Sequence, residues 1–204
     1  MDSANRIPDT VLITGAANGI DRYFPFSEAP VSAIKEIFEV NVFGAYRVNQ
    51  VFLPLIKKPG GRIIHIGSET AHLTVPFMPY PLTKGLLEKY NKVLRQELRF
   101  LGIDVTVINP GPINTQILGY ISNIRFPVSD PILDRIFRRF ASQAPKEVGT
   151  ILEPEKLAGF IYRISLKRNP KAVYRINNSL KVRLIGLLPF GLFEKMVHWR
   201  LKHN

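Results

Sequence analysis

The sequence predicts an α/β protein built on a parallel sheet with helices packed against it. Three observations point there: short β-branched apolar runs stop at glycine or proline turns, stretches of helical period lie between them, and the two alternate along the chain. Of the 204 residues, 46% are hydrophobic and 10% aromatic, enough for one buried core, which excludes wholesale disorder.

The first run, residues 10–14 (TVLIT), stops at the glycine loop Gly15-Ala-Ala-Asn-Gly19, as a buried strand entering a strand-to-helix turn would. Residues 30–57 carry Ile34, Ile37, Phe38, Val42, Ala45 and Val48 at three- and four-residue steps; Pro30 suits the first turn of this helix and Pro54 should end or kink it. After the turn at Pro59-Gly-Gly61, residues 62–67 place Ile63, Ile64 and Ile66 in a second strand. Residues 80–101 predict a helix with Leu82, Leu86, Leu87, Tyr90, Val93, Leu94, Leu98 and Leu101 on one stripe and Gly102 as C-cap. A third strand over 103–108 runs into the sharp turn Asn109-Pro-Gly-Pro112. Beyond it, 132–144 and 154–167 read as helices and 172–176 as a last strand.

The formal charge is +12, from 28 Lys and Arg against 16 Asp and Glu, and it is concentrated at one end. Residues 163–204 hold ten basic side chains and, as their only acid, Glu194. From Ser179 the tail interleaves Leu184, Ile185, Leu187, Leu188, Phe190 and Trp199 with Lys181, Arg183, Lys195, Arg200 and Lys202. Such a segment suits the interface of an anionic membrane, where the charged heads stay wet; a core or subunit-interface helix with a solvated basic side is the rival reading. Its longest nearly unbroken apolar stretch, 184–193, falls short of the ~20 residues of a spanning helix. With no aromatic stacking platform, nucleic-acid binding is not expected.

Cysteine is absent, which removes disulfides, thiolate nucleophiles and Cys-type zinc sites, and four scattered His give no metal spacing. His65 and His72 read as structural or pocket-lining. The opening MDSANRIPDT has no apolar signal core, so the expected location is cytoplasmic and reducing, peripheral at a membrane through the tail.

The chemistry centres on Tyr80-Pro-Leu-Thr-Lys84, which puts a phenol and an ammonium one helical turn apart and so on one face. A phenol of ordinary pKa ~10 exchanges protons poorly near neutrality, and a neighbouring cation favours its ionised form. Ser68 follows the second strand, at the end of the sheet where α/β proteins hold ligands, and its hydroxyl can donate to a carbonyl oxygen while Tyr80 moves the proton.

These residues, in this order, resemble the short-chain dehydrogenases/reductases of the classical type. The resemblance rests on Thr14-Gly15-Ala-Ala-Asn-Gly19-Ile20, Asn41 within Asn-Val-Phe-Gly44, Ser68, Tyr80-x-x-x-Lys84 and Asn109-Pro110-Gly111-Pro-Ile113-Asn-Thr115, with a 12-residue step from Ser68 to Tyr80. It implies a Rossmann-like sheet and NAD or NADP as cofactor. Tyr80 would be the acid/base, Lys84 would bind the nicotinamide ribose and tune Tyr80, Ser68 would polarise the substrate oxygen and Asn41 would hold a proton-relay water. Thr14, Gly15, Gly19 and Ile20 would form the phosphate-side turn, and Pro110, Gly111, Ile113 and Thr115 the nicotinamide side. Basic, apolar tails like this one occur in membrane-associated members of the retinol and steroid type, which implies a small lipophilic alcohol or ketone as substrate, and self-association is a further expectation.

The sequence departs from the family pattern after Ile20. Asp21 stands where a third glycine is usual, and residues 22–30 look like what ordinarily follows the fourth strand. The reading is an internal deletion with its junction at Gly19-Ile20-Asp21, leaving the sheet incomplete in its N-terminal half. Two domains of sequence are expected, a nucleotide-binding domain over 1–178 and the tail 179–204. Two functions remain open: an oxidoreductase on a lipid-like alcohol or carbonyl, or a catalytically impaired relic acting as a binding or membrane-associated protein.

Overall fold

The computed structural model describes residues 10–14, 23–57, 60–115, 118–119 and 124–203. Four parallel strands, β1 (Val11–Thr14), β2 (Arg62–Ile66), β3 (Asp104–Pro110) and β4 (Val173–Ile176), lie side by side in chain order. Every junction is a parallel crossover, so each strand pair is separated by helix, and the predicted α/β architecture is present.

Period-two alternation divides the sheet's side chains between two helical layers. Leu12, Ile63 and Val105 sit opposite one another on one face and pack with Ile56, Leu98 and Ile103. Ile64, Ile66 and Ile108 point the other way, against Ile161 and Ile164. The first layer is α1 (Val31–Phe38), α2 (Gly44–Ile56) and α3 (Pro79–Arg99); the second is covered by α5 (Pro154–Ser165). A third cluster, Tyr23, Phe77, Phe137, Phe140 and Leu201, joins α4 (Pro131–Gln143) to the C-terminal helix.

The helix expected over 30–57 is interrupted: a π-helical turn, Glu39–Phe43, separates α1 from α2, and α2 runs two residues past Pro54. Widened turns of this kind are frequent at functional positions, and this one carries Asn41. The inward stripe of α3 also differs from expectation. Leu82, Leu86, Val93 and Leu101 are exposed, whereas Thr83, Lys84, Leu87, Asn91 and Leu98 are buried. Polar side chains with partners across the layer thus take places that a hydrophobicity pattern assigns to leucine. Gly102 does close the helix, at φ 68, where it avoids the strain a Cβ would meet.

The tail folds into α6 (Leu180–Ile185) and α7 (Phe190–His203). Glu147 receives both Lys181 and Arg200, which pins the two helices to the turn after α4. No helix among the described residues is long and apolar enough to cross a membrane.

Candidate active site

The C-terminal ends of the strands gather most of the residues singled out in the sequence. Thr14 ends β1, in register with His65 of β2; Ser68 lies three residues further on, and Pro110 ends β3 with Gly111 directly after it. Gly67 lets this edge close, since a Cβ there would meet the Asn109 Oδ1 at 2.0 Å. Gly111 is equally confined, with the Asn177 carbonyl 2.0 Å from where its Cβ would be. Asn177 adopts φ 57, which asparagine tolerates, and its amide donates to the Thr150 carbonyl at 2.6 Å. Ile113 bridges to Leu152, and Thr115 is exposed. Gly15, Gly19 and Ile20 lie outside the described residues.

Ser68 caps a short 3₁₀ turn, Glu69–His72. Its Oγ accepts from the Thr70 N–H at 3.2 Å and lies 2.9 Å from the Thr70 hydroxyl. Either hydroxyl can donate in that pair, and with Thr70 as the donor Ser68 keeps its own proton for a further acceptor.

The chain then reaches α3 through Phe77, which holds φ 64, a rare conformation for an aromatic residue. Phe77 is fixed by a hydrogen bond from the Phe24 N–H to its carbonyl, at 3.0 Å, and by ring contacts with Phe137 and Phe140. This brings Tyr80 into the first turn of α3. The Thr83 hydroxyl donates to the Tyr80 carbonyl at 2.8 Å and accepts from the Asn41 amide at 3.1 Å. Asn41 thus ties the π-helical turn to α3 and anchors the backbone of Tyr80.

Lys84 is 4% exposed, its Nζ donating to the Ile66 carbonyl at 3.1 Å and lying 5.5 Å from the centre of the Tyr80 ring. Burial holds this ammonium below its ordinary value, down to about 8. Tyr80 and Lys84 are therefore beside one another, and the Lys84 bond ends two residues before Ser68.

Below this edge is a second polar group. His65 is fully buried, its Nδ1 2.8 Å from Asn91 Oδ1 and its Nε2 2.9 Å from the Asn49 amide. Because Asn91 Oδ1 only accepts, Nδ1 carries the proton and Nε2 accepts. Burial pushes the ring down to about 4, so it is neutral near pH 7. His65 is structural, as expected, and His72 is exposed, packed against Gly186.

Sequence reasoning missed Glu69, Thr83 and Asn177. Glu69 is buried and accepts from the Ser179 N–H at 2.9 Å, which fastens α6 beside Ser68; burial raises its carboxyl. The position of Thr83, one turn after Tyr80 on its face, was the available signal for that residue.

A cavity of about 840 Å³ borders the site. It lies between residues 73–78, which join Ser68 to Tyr80, and helices α4 and α7. Met78 and Leu82, on either side of Tyr80 in sequence, belong to its wall, and Tyr80 does not. No group of three metal-ligating side chains occurs among the described residues.

A parallel α/β sheet with a buried Lys beside a Tyr at its strand ends is an arrangement that a nucleotide-cofactor oxidoreductase can use, since α/β sheets hold ligands at that end. The chain belongs to the short-chain dehydrogenase family, whose model matches residues 9–124. It is 30% identical over 202 residues to the NADPH-dependent 3-dehydrocapnine reductase of Ornithobacterium rhinotracheale, covering 95% of this chain and 70% of that protein. It is 35% identical over 121 residues to the estradiol 17-beta-dehydrogenase 2 of Rattus norvegicus, covering 57% of this chain and 31% of that one. Its fold matches a short-chain dehydrogenase from Streptomyces avermitilis with a TM-score of 0.70 at 22% identity, over 93% of this chain and 68% of the other.

The family's nicotinamide cofactors fit the described residues in one half. Lys84 has three N–H donors and spends one on Ile66, which leaves donors beside Tyr80 for the hydroxyls of a ribose. The other half is different. Dinucleotides lie where strand order reverses, and the order β1-β2-β3-β4 has no reversal among the described residues.

Proposed function

We propose that this chain is an NAD(P)-dependent oxidoreductase that interconverts a lipid-like or secondary alcohol and its carbonyl, with Tyr80 as acid/base. One observation carries the reading: a buried ammonium, Lys84, lies beside the Tyr80 ring at the edge of the sheet occupied by Ser68. In reduction the Tyr80 hydroxyl gives its proton to the substrate oxygen, and in oxidation it takes one back. Ser68 donates a hydrogen bond to the same oxygen, supporting the charge that develops there. Lys84 favours the phenolate and offers its remaining donors to ribose hydroxyls. Asn41 acts as a positioning residue through Thr83. Lys84, Thr14, Pro110, Gly111, Ile113 and Thr115, with Gly15, Gly19 and Ile20 from the glycine motif, would hold a nicotinamide, which would supply or accept the hydride when bound.

The apolar cavity against residues 73–78 supports a lipophilic substrate, of the kind handled by retinol- or steroid-type relatives. The test is reduction of medium-chain and cyclic ketones with NADH or NADPH by the purified protein. Turnover abolished by Tyr80→Phe supports the reading, and full activity in that variant refutes it.

A second reading is favoured by the strand order. If β2, which precedes Ser68, corresponds to the family's fifth strand, β1 occupies the place of the fourth, as an internal deletion at Gly19-Ile20-Asp21 would produce. A chain so shortened would lack the adenosine side and act as a binding or membrane-associated protein. Absence of saturable NADH and NADPH binding would select this reading. The mass of the protein purified from its source tests the deletion directly.

Peripheral attachment of a cytoplasmic protein to an anionic membrane is part of the same proposal. It is supported by Leu187 and Trp199, 80% and 60% exposed, among the basic residues of the tail. Co-sedimentation with phosphatidylserine vesicles that salt reverses is the expected result. Self-association would use the outer faces of α2 and α3, where Val51, Leu55 and Val93 are exposed.

A further inference from the structure

We infer that the cavity between residues 73–78, α4 and α7 binds a single-chain amphiphile carrying an anionic head group. This deepens the lipophilic-substrate reading above and rests on it for the catalytic use of the site.

The wall is overwhelmingly apolar. Phe193, Val197 and Leu201 stand at four-residue steps on α7 and so form one continuous face of the cavity, with Leu73, Val75 and Ile136 opposite. About 840 Å³ is ample for an extended hydrocarbon chain, and an apolar wall gives water few partners. The chain of an amphiphile is the ligand part that such a wall favours.

The charged side chains of the wall give the head group its sign. Arg135, Arg139 and Lys202 are cationic and Glu194 is the acid among them. Lys202 is eight residues, about 12 Å, along α7 from Glu194, so the two charges mark different ends of that helix. Arg139 is already occupied, donating to the Leu201 and Lys202 carbonyls at 3.1 and 2.5 Å. It fastens α4 to the end of α7. Arg135 lies one turn earlier on α4, on the same face, and is exposed with no ion pair or hydrogen bond among the described residues. Arg135 and Lys202 thus present unused cationic donors at an apolar mouth, suited to a carboxylate, sulfonate or phosphate. A neutral alcohol or a quaternary ammonium would use only the apolar wall.

The test is calorimetric titration of the full chain with dodecanoate, below its micellar concentration and without cofactor, alongside dodecyltrimethylammonium and decan-1-ol. Saturable binding of dodecanoate at least ~10-fold tighter than the cationic twin is expected. Arg135→Ala with Lys202→Ala, both at exposed positions, should weaken dodecanoate ~10-fold and leave decan-1-ol unchanged. Val197→Trp should fill the cavity and abolish binding of both. Leu187→Ser, on the outer side of the tail, should change neither, which separates the cavity from surface adsorption.

Equal affinity for the two charged detergents, or wild-type dodecanoate affinity in the double variant, overturns the proposal. If Val197→Trp fails to fold, the surface double variant still decides. Because no cofactor is present, dodecanoate binding without any ketone reduction would defeat only the catalytic reading. Ketone reduction without dodecanoate binding would defeat only this one.

Discussion

His65 and Lys84 are both buried titratable groups of the same layer, and they have been satisfied in opposite ways. The His65 ring uses both nitrogens, on Asn91 and Asn49, and burial keeps it neutral. Lys84 has one carbonyl partner for three donors and remains largely charged near pH 7, since its value of about 8 is still above it. A polar group whose bonds are all made inside the protein stabilises the fold. One left with spare donors at the edge of a sheet costs stability and is available for chemistry.

Variants at the two sites should separate these roles. The largest effect is expected from Tyr80→Phe, which removes the hydroxyl next to Lys84 that the proposed mechanism uses as proton donor. Carbonyl reduction should fall about a thousandfold with the melting temperature nearly unchanged. His65→Ala should behave in reverse, losing about 3 kcal/mol in urea unfolding because Asn49 and Asn91 lose their partner in the core.

Acid should reach His65 without mutation. Its folded value, about 4, lies below the ordinary 6.5, so the unfolded chain binds the extra proton first. The His65 contribution is complete above pH 6.5 and is lost as pH falls toward 4, by about 2–3 kcal/mol in denaturant titrations. His65→Ala should flatten that part of the profile.

The smallest effect is the most discriminating. Lys84→Met should gain about 1 kcal/mol of stability at pH 7 while abolishing the proposed turnover, since it removes a buried charge together with the ammonium beside Tyr80. The gain should shrink from pH 8 toward 10.5, where the folded wild type has released its proton and the unfolded chain has not. A loss of stability in Lys84→Met would place Lys84 with His65 as a structural residue.

Much of this was legible in the sequence, and the failures share a cause. Strands appeared as apolar runs closed by glycine, and Tyr80, Lys84 and Ser68 stood out because their spacing projects them onto one helix face and one strand end. The inward face of α3 did not, because Thr83, Lys84 and Asn91 are buried by bonds to Asn41, Ile66 and His65, partners 18 to 42 residues away. Periodicity registers hydrophobicity along one element and is blind to hydrogen bonds between elements. The cavity was hidden for the same reason, since its wall is drawn chiefly from one loop and two helices far apart in the chain. In the tail, α7 has two sides that the sequence did not separate: Phe193 and Leu201 are buried, while Leu192 and Trp199 are exposed.

The position of β1 sets an order of opening. Among the described residues it is four residues long and has one neighbour, β2, whereas β2 and β3 are each held on both sides. Ile13, at 45% exposure, adds little buried surface to that single ladder. Opening β1 therefore breaks one set of hydrogen bonds and leaves the β2–β3 pair intact. In amide exchange, the protons of Leu12 and Ile13 should be replaced by deuterium well before those of Ile64 and Val107, which are released only when the sheet as a whole comes apart.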